Sequence, residues 1–94
     1  MSYVFEWDPQ KAASNLRRHG VSFDEAIEAF GDAFAINMPD PDHSIVEDRY
    51  VLLGLSLRNR LLVVSYAERE TRTRLISARI AGRSERRQYE EEFG

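Results

Sequence analysis

Cysteine does not occur among the 94 residues. Its absence excludes disulfides, thiolate nucleophiles, iron–sulfur clusters and Cys-based zinc sites, and it suits a reducing compartment. Proline (3) and glycine (5) are too scarce for a collagen-like or linker-like chain. No apolar run reaches the roughly 18 residues of a membrane-crossing helix. The opening residues, Met1 to Asp8, are acidic and contain no apolar signal core, so a cytoplasmic location is expected. There is no Gly-rich phosphate loop and no serine elbow, which excludes P-loop and α/β-hydrolase chemistry. Lysine is nearly absent as well: Lys11 stands alone against twelve arginines.

The chain that remains is 43% hydrophobic and 31% charged, a globular composition, and its length predicts one domain over 1–94. A chain this short buries only about two-thirds of its unfolded surface. The net charge of −3 is the sum of two unlike halves. Residues 1–48 carry three basic side chains against ten acidic ones, net −7. Residues 49–94 carry ten arginines against six glutamates, net +4. Such asymmetry points to a partner that reads charge, nucleic acid above all. A solvated basic sheet face balanced by acidic helices accounts for the same numbers. The arginine bias favours phosphate, because a guanidinium offers a planar fork where an ammonium is a solvated point.

Residues 3–7 alternate and read as a strand. Asp8-Pro9 starts a helix over 9–19, with Asp8 as cap and Gly20 as stop; Ala12, Ala13 and Leu16 form its expected apolar stripe. Ser22 and Glu25 form a capping box for a second helix that reaches about Phe30. Residues 33–38 read as a strand. The two prolines of 39–44 predict a loop that neither helix nor ladder enters. Strands follow at about 48–56, 60–67 and 72–79, joined by connections so short that neighbours must be antiparallel. A last helix spans about 83–92, with Ser84 as a possible cap. The fold class is α+β: strand, helix, helix, then a mostly antiparallel sheet and a C-terminal helix. Leu61, Val63 and Ser65 face one way and Leu62, Val64 and Tyr66 the other, so both sheet faces need cover. The first two helices cover one; the last helix, or a partner protein, covers the other.

The densest group of chemically active residues is Arg60, Tyr66, Glu68, Arg69, Arg72, Arg74 and Arg79. Cleavage of RNA by its own 2′-hydroxyl needs a base, a charge sink for the pentavalent phosphorus and an acid for the leaving oxygen. Glu, His, Lys or Tyr can carry the proton, Arg can supply the sink, and no metal or cofactor is required. Ordinary surface ion pairs are the plainer reading of the same residues. His19 suits the end of a helix dipole. Asp40, Asp42 and His43 lack metal-ligand spacing and read as a solvated turn. The helix pair over 9–30 is too acidic in its second helix to read DNA.

Phe5-Glu6-Trp7-Asp8, Lys11, Asn15 and His19 to Ala26 resemble the opening of the BrnT family of bacterial toxins. Glu47-Asp48-Arg49-Tyr50, Gly54, Arg60 to Val64, Tyr66, Glu68-Arg69, Arg74 to Arg79 and Glu85 to Tyr89 are similar in order and spacing, so the resemblance spans about 5–90. It implies a type II toxin with a RelE-like fold that cleaves RNA. It also implies a BrnA-like ribbon-helix-helix antitoxin, through which alone operator DNA is bound. The site residues it implies are Arg69 and Arg79 as phosphate binders and transition-state stabilisers, with Tyr66 or Glu68 as proton carrier. Arg60, Arg72, Arg74 and Lys11 would contact RNA, and Lys11 and His19 are further proton-carrier candidates. A non-catalytic RNA- or protein-binding module is the alternative.

Overall fold

The computed structural model describes residues 4–43 and 47–93. Tyr3, in the expected first strand, and Ser44, in the expected loop, lie outside them. Strand β1 (Val4–Glu6) leads into helix α1 (Pro9–His19) and helix α2 (Phe23–Ala29). Strands β2 (Ile36–Pro39), β3 (Asp48–Leu55), β4 (Leu61–Arg69) and β5 (Arg72–Ile80) follow, then helix α3 (Arg83–Phe93). The five strands form one sheet in the order β1-β5-β4-β3-β2. β2 to β5 are antiparallel neighbours, and β1 lies parallel against β5.

The caps act as the sequence dictates. The Asp8 carboxylate accepts from the Gln10 amide, the Ser22 hydroxyl accepts from Glu25, and Gly20 ends α1 at φ 69°. Only glycine adopts that conformation without strain. Three expectations are corrected. Pro39 is the last residue of β2 and Pro41 opens a 3₁₀ turn, Pro41–His43. Both are tolerated because β2 is an edge strand and needs no amide on its outer side. Helix α3 starts at Arg83, so Ser84 lies inside it, and the Glu85 carboxylate accepts the Gly82 amide at 2.7 Å. In α1, Ala13 and Leu16 are exposed and the buried residue is polar Asn15.

The last point follows from where α1 lies. β1 covers only the Arg72–Arg74 part of β5, leaving the backbone edge beyond it open. α1 runs beside that edge. The Asn15 amide nitrogen donates to the Ala78 carbonyl at 2.8 Å and to the Val21 carbonyl at 2.9 Å, and its oxygen accepts from the Ala78 amide at 3.0 Å. One side chain thus stands in for a missing strand and satisfies buried backbone groups.

The larger core lies between the helices and the inner sheet face: Val21, Phe23, Ala26, Ala29, Leu52, Leu62, Val64, Tyr66, Leu75 and Ala78. Gly54 lets α2 approach, since a Cβ there would stand 2.8 Å from the Ala29 carbonyl oxygen. On the outer face, Tyr89 of α3 packs with Leu53, Leu61 and Val63 into a second, smaller cluster. Helix α3 covers that half of the outer face and leaves the other half open.

Candidate functional site

Side chains alternate along a strand, so register decides which residues share a face. Ala67 pairs with Arg74 and Val63 with Arg79, while Tyr66 pairs with Leu75 and Glu68 with Thr73. Arg69, Arg72, Arg74 and Arg79 therefore belong to the outer face, together with Arg49, Ser65 and Ser77. Tyr66 and Glu68 belong to the inner face. Ile76 is the extra residue of a bulge opposite Ser65 and Tyr66, which keeps Arg74 and Arg79 on the same side despite their odd spacing.

The residues expected to act together are thus divided by the sheet. The Tyr66 ring is buried, stacked on Tyr50 and edge-on to Phe30, and its hydroxyl donates to Asn37 Oδ1 at 2.8 Å. Glu68 lies opposite Asp48 and Thr73 at the end of the inner face. Arg60 is further removed, about nine residues or roughly 30 Å along β4 from Arg69. Its guanidinium holds the buried Glu25 carboxylate through both Nε and Nη2 and donates to the Gly20 carbonyl at 3.0 Å. The Ser56 hydroxyl donates to the same carboxylate at 2.8 Å. Arg60 and Ser56 hold the Glu25 carboxyl below the usual carboxylate range against the opposing effect of burial. The pair ties α2 to the β3–β4 turn.

On the open outer face the arginines gather around one carboxylate. Glu47 Oε1 is paired with Arg74 and lies 3.8 Å from Arg49 Nη2; Oε2 lies 3.9 Å from Arg69 Nε. Three strands each contribute one guanidinium. Beside this cluster is a cleft of about 170 Å³ lined by Asp40, Arg49, Tyr50, Ser65, Ile76 and Ser77. At the turn end, Arg72 donates to Glu6 at 3.2 Å.

A second cleft, about 520 Å³, lies between α1 and the edge of β5, where Lys11, Ser14, Arg18, His19, Ser77 and Arg79 line it. It joins Lys11 and His19 to Arg79. Ile76 and Ser77 line both clefts, so one track runs from α1 across β5 to β3. Arg79 is held at its α3 end by a two-pronged pair with Glu85, at 2.8 and 2.6 Å. That guanidinium, with the Gly82 amide, holds the Glu85 carboxyl below its ordinary range despite burial.

Among the described residues no group of three or more His, Asp and Glu side chains is placed to hold a metal ion. Glu47 is the residue that sequence reasoning missed. Its signal was the Glu47-Asp48-Arg49 run at a strand start, where alternation puts 47 and 49 on one face. Nothing in the sequence shows which face that is.

Fold and site define an α+β protein with a cation-rich half-sheet suited to phosphate. The family described as "Ribonuclease toxin, BrnT, of type II toxin-antitoxin system" matches residues 7–85. The chain belongs to this family of ribonuclease toxins, whose type II systems pair a toxin with an antitoxin. The fold is similar to the 1.1 Å crystal structure of the Brucella abortus ribonuclease toxin BrnT, with a TM-score of 0.68 at 19% identity. The alignment covers 87% of this chain and 100% of that one. No curated protein sequence matches. No described helix is long and apolar enough to cross a membrane.

Proposed function

We propose that this protein is a metal-independent endoribonuclease that arrests growth from the cytoplasm, on a RelE-like scaffold comprising the whole chain as one domain. A BrnA-like ribbon-helix-helix antitoxin neutralises it and carries the complex to operator DNA. The observation that carries the reading is the open half of the outer face, where Arg49, Arg69 and Arg74 converge and from which a track leads to Arg79. An RNA strand lying along β5 places its phosphates against these guanidinium groups. The 2′-oxygen attacks phosphorus, the bond to the 5′-oxygen breaks, and the products are a 2′,3′-cyclic phosphate and a 5′-hydroxyl. Preorganised arginines act as the sink for the charge that builds on phosphorus, the task a metal ion performs elsewhere. Lys11, Arg18 and His19 extend the phosphate track past the edge of β5. Tyr66 and Glu68, on the inner face, shape the strand rather than carry the proton. The antitoxin acts by covering the half of the sheet that α3 leaves open.

The test is incubation of the purified chain with an end-labelled oligoribonucleotide in EDTA. Cleavage is expected to persist and to leave a cyclic-phosphate end. Arg74→Ala is expected to slow it about 10²–10³-fold, the usual effect of removing one transition-state donor. RNA that is bound in a salt-sensitive way but stays intact would instead establish the non-catalytic binding module.

A further inference from the structure

We infer that Glu47 is the general base that takes the 2′-hydroxyl proton; this rests on the ribonuclease reading above. The other carboxylates around the outer face have different positions or tasks, and Glu70 sits in the β4–β5 turn, lining a cleft with Glu6, Arg69 and Arg72. Glu6 accepts from Arg72 at the turn end, and Glu85 is bound to Arg79 and the Gly82 amide. Asp48 and Glu68 alternate onto the inner face. Asp40 lines the neighbouring cleft with Arg49, away from the Arg69–Arg74 side of the cluster. Glu47 stands among three guanidinium groups, and its side chain keeps 17% of its surface exposed.

Charge conservation gives this arrangement its chemical sense. Three arginines and one carboxylate carry a net charge of +2. A bound phosphodiester brings −1. When the 2′-hydroxyl proton moves to a Glu47 oxygen and the 2′-oxygen bonds to phosphorus, the negative charge leaves Glu47 and appears on the phosphorane. The guanidinium groups that held the carboxylate are then free to hold the phosphorane oxygens. Their interaction strengthens as the reaction proceeds, which is the requirement for catalysis rather than mere binding. The P–O5′ bond breaks, the 5′-oxygen takes a proton from solvent water, and the hydroxide left behind takes back the proton that Glu47 holds, which restores the carboxylate.

The experiment compares wild type, Glu47→Gln, Glu47→Asp and Asp24→Asn, the last removing one negative charge from α2. Single-turnover cleavage of an oligoribonucleotide, RNA affinity and thermal unfolding are measured for each. Glu47→Gln is expected to cut about 10²–10⁴-fold more slowly, the usual contribution of a general base, while binding RNA at least as tightly. Glu47→Asp is expected to retain part of the rate, and Asp24→Asn all of it. Cleavage by Glu47→Gln within threefold of wild type overturns the assignment. So does equal inactivity of Glu47→Gln and Glu47→Asp with weakened RNA binding, which marks a positioning role. A wild-type protein that binds RNA without cutting it overturns the ribonuclease reading itself, and this inference with it.

Discussion

Asn15 shows how much one side chain can decide. Its amide satisfies both backbone groups of Ala78 and the carbonyl of Val21. Leucine has similar bulk but no polar atoms, so Asn15→Leu leaves buried donors and acceptors unmatched. We expect it to lower stability by about 2–4 kcal/mol, read from urea unfolding. Titratable residues set a pH window in the same way. The carboxyls of Glu25, Asp32 and Glu85 lie below their ordinary values of 4.5, 3.8 and 4.5. For Asp32, burial works upward but is outweighed by the Tyr89 hydroxyl and the Leu55 and Phe34 amides. Groups depressed in the folded state contribute stability that is present above those ordinary values and lost as pH falls through the folded ones. Tyr89 is the opposite case: burial, then Asp32, pushes its phenol from 10.0 up to about 12. Its contribution is whole below pH 10 and disappears as pH rises toward 12. Unfolding midpoints measured against pH should therefore fall at both ends, and Tyr89→Phe should remove the Tyr89 part of the alkaline fall.

At the scale of elements, the packing of α2 on β3 depends on Gly54. A methyl group there meets the Ala29 carbonyl oxygen at 2.8 Å, a backbone atom that cannot swing away. Gly54→Ala is expected to cost about 1–3 kcal/mol, the usual penalty of overpacking, and to loosen α2 without touching the outer face. Amide exchange should speed up in α2 and not in α3. The elements were the part of the fold most legible in the sequence, because caps and alternation are local: Asp8, Ser22 and Gly20 sit where capping chemistry requires. Pro39 misled for the same reason. Proline's missing amide forbids a ladder only where a partner strand lies on that side, and local sequence does not say which strands are edges.

At the scale of the molecule, the sheet separates the charges, but incompletely. The acidic helix α2 lies on the inner face, away from the open arginines. Glu47 and Asp40, both from the acidic half of the chain, lie on the basic face. Phosphate binding there should be strongly salt-dependent. Removing one phosphate contact, as in Arg69→Ala, should reduce the slope of log affinity against log salt by roughly 0.7, as for single strands. Arg60→Ala should leave the slope unchanged and instead loosen the turn it ties to α2. Fluorescence anisotropy over a salt series reads both.

The sequence by itself determined the elements, the antiparallel neighbours, the arginine-rich half and the family, because each rests on spacing within a short stretch of chain. Tertiary structure alone decided the parallel pairing of β1 with β5, the use of Asn15 as a surrogate strand and the division of the expected site across two faces. It also decided that Arg60 serves Glu25 while Glu47 collects Arg49, Arg69 and Arg74. Those outcomes depend on contacts between residues as far as 68 positions apart, and on a bulge at Ile76 that resets the alternation. Alternation says that two residues share a face; only the closed sheet, with α3 over one half of it, says which face a ligand can reach.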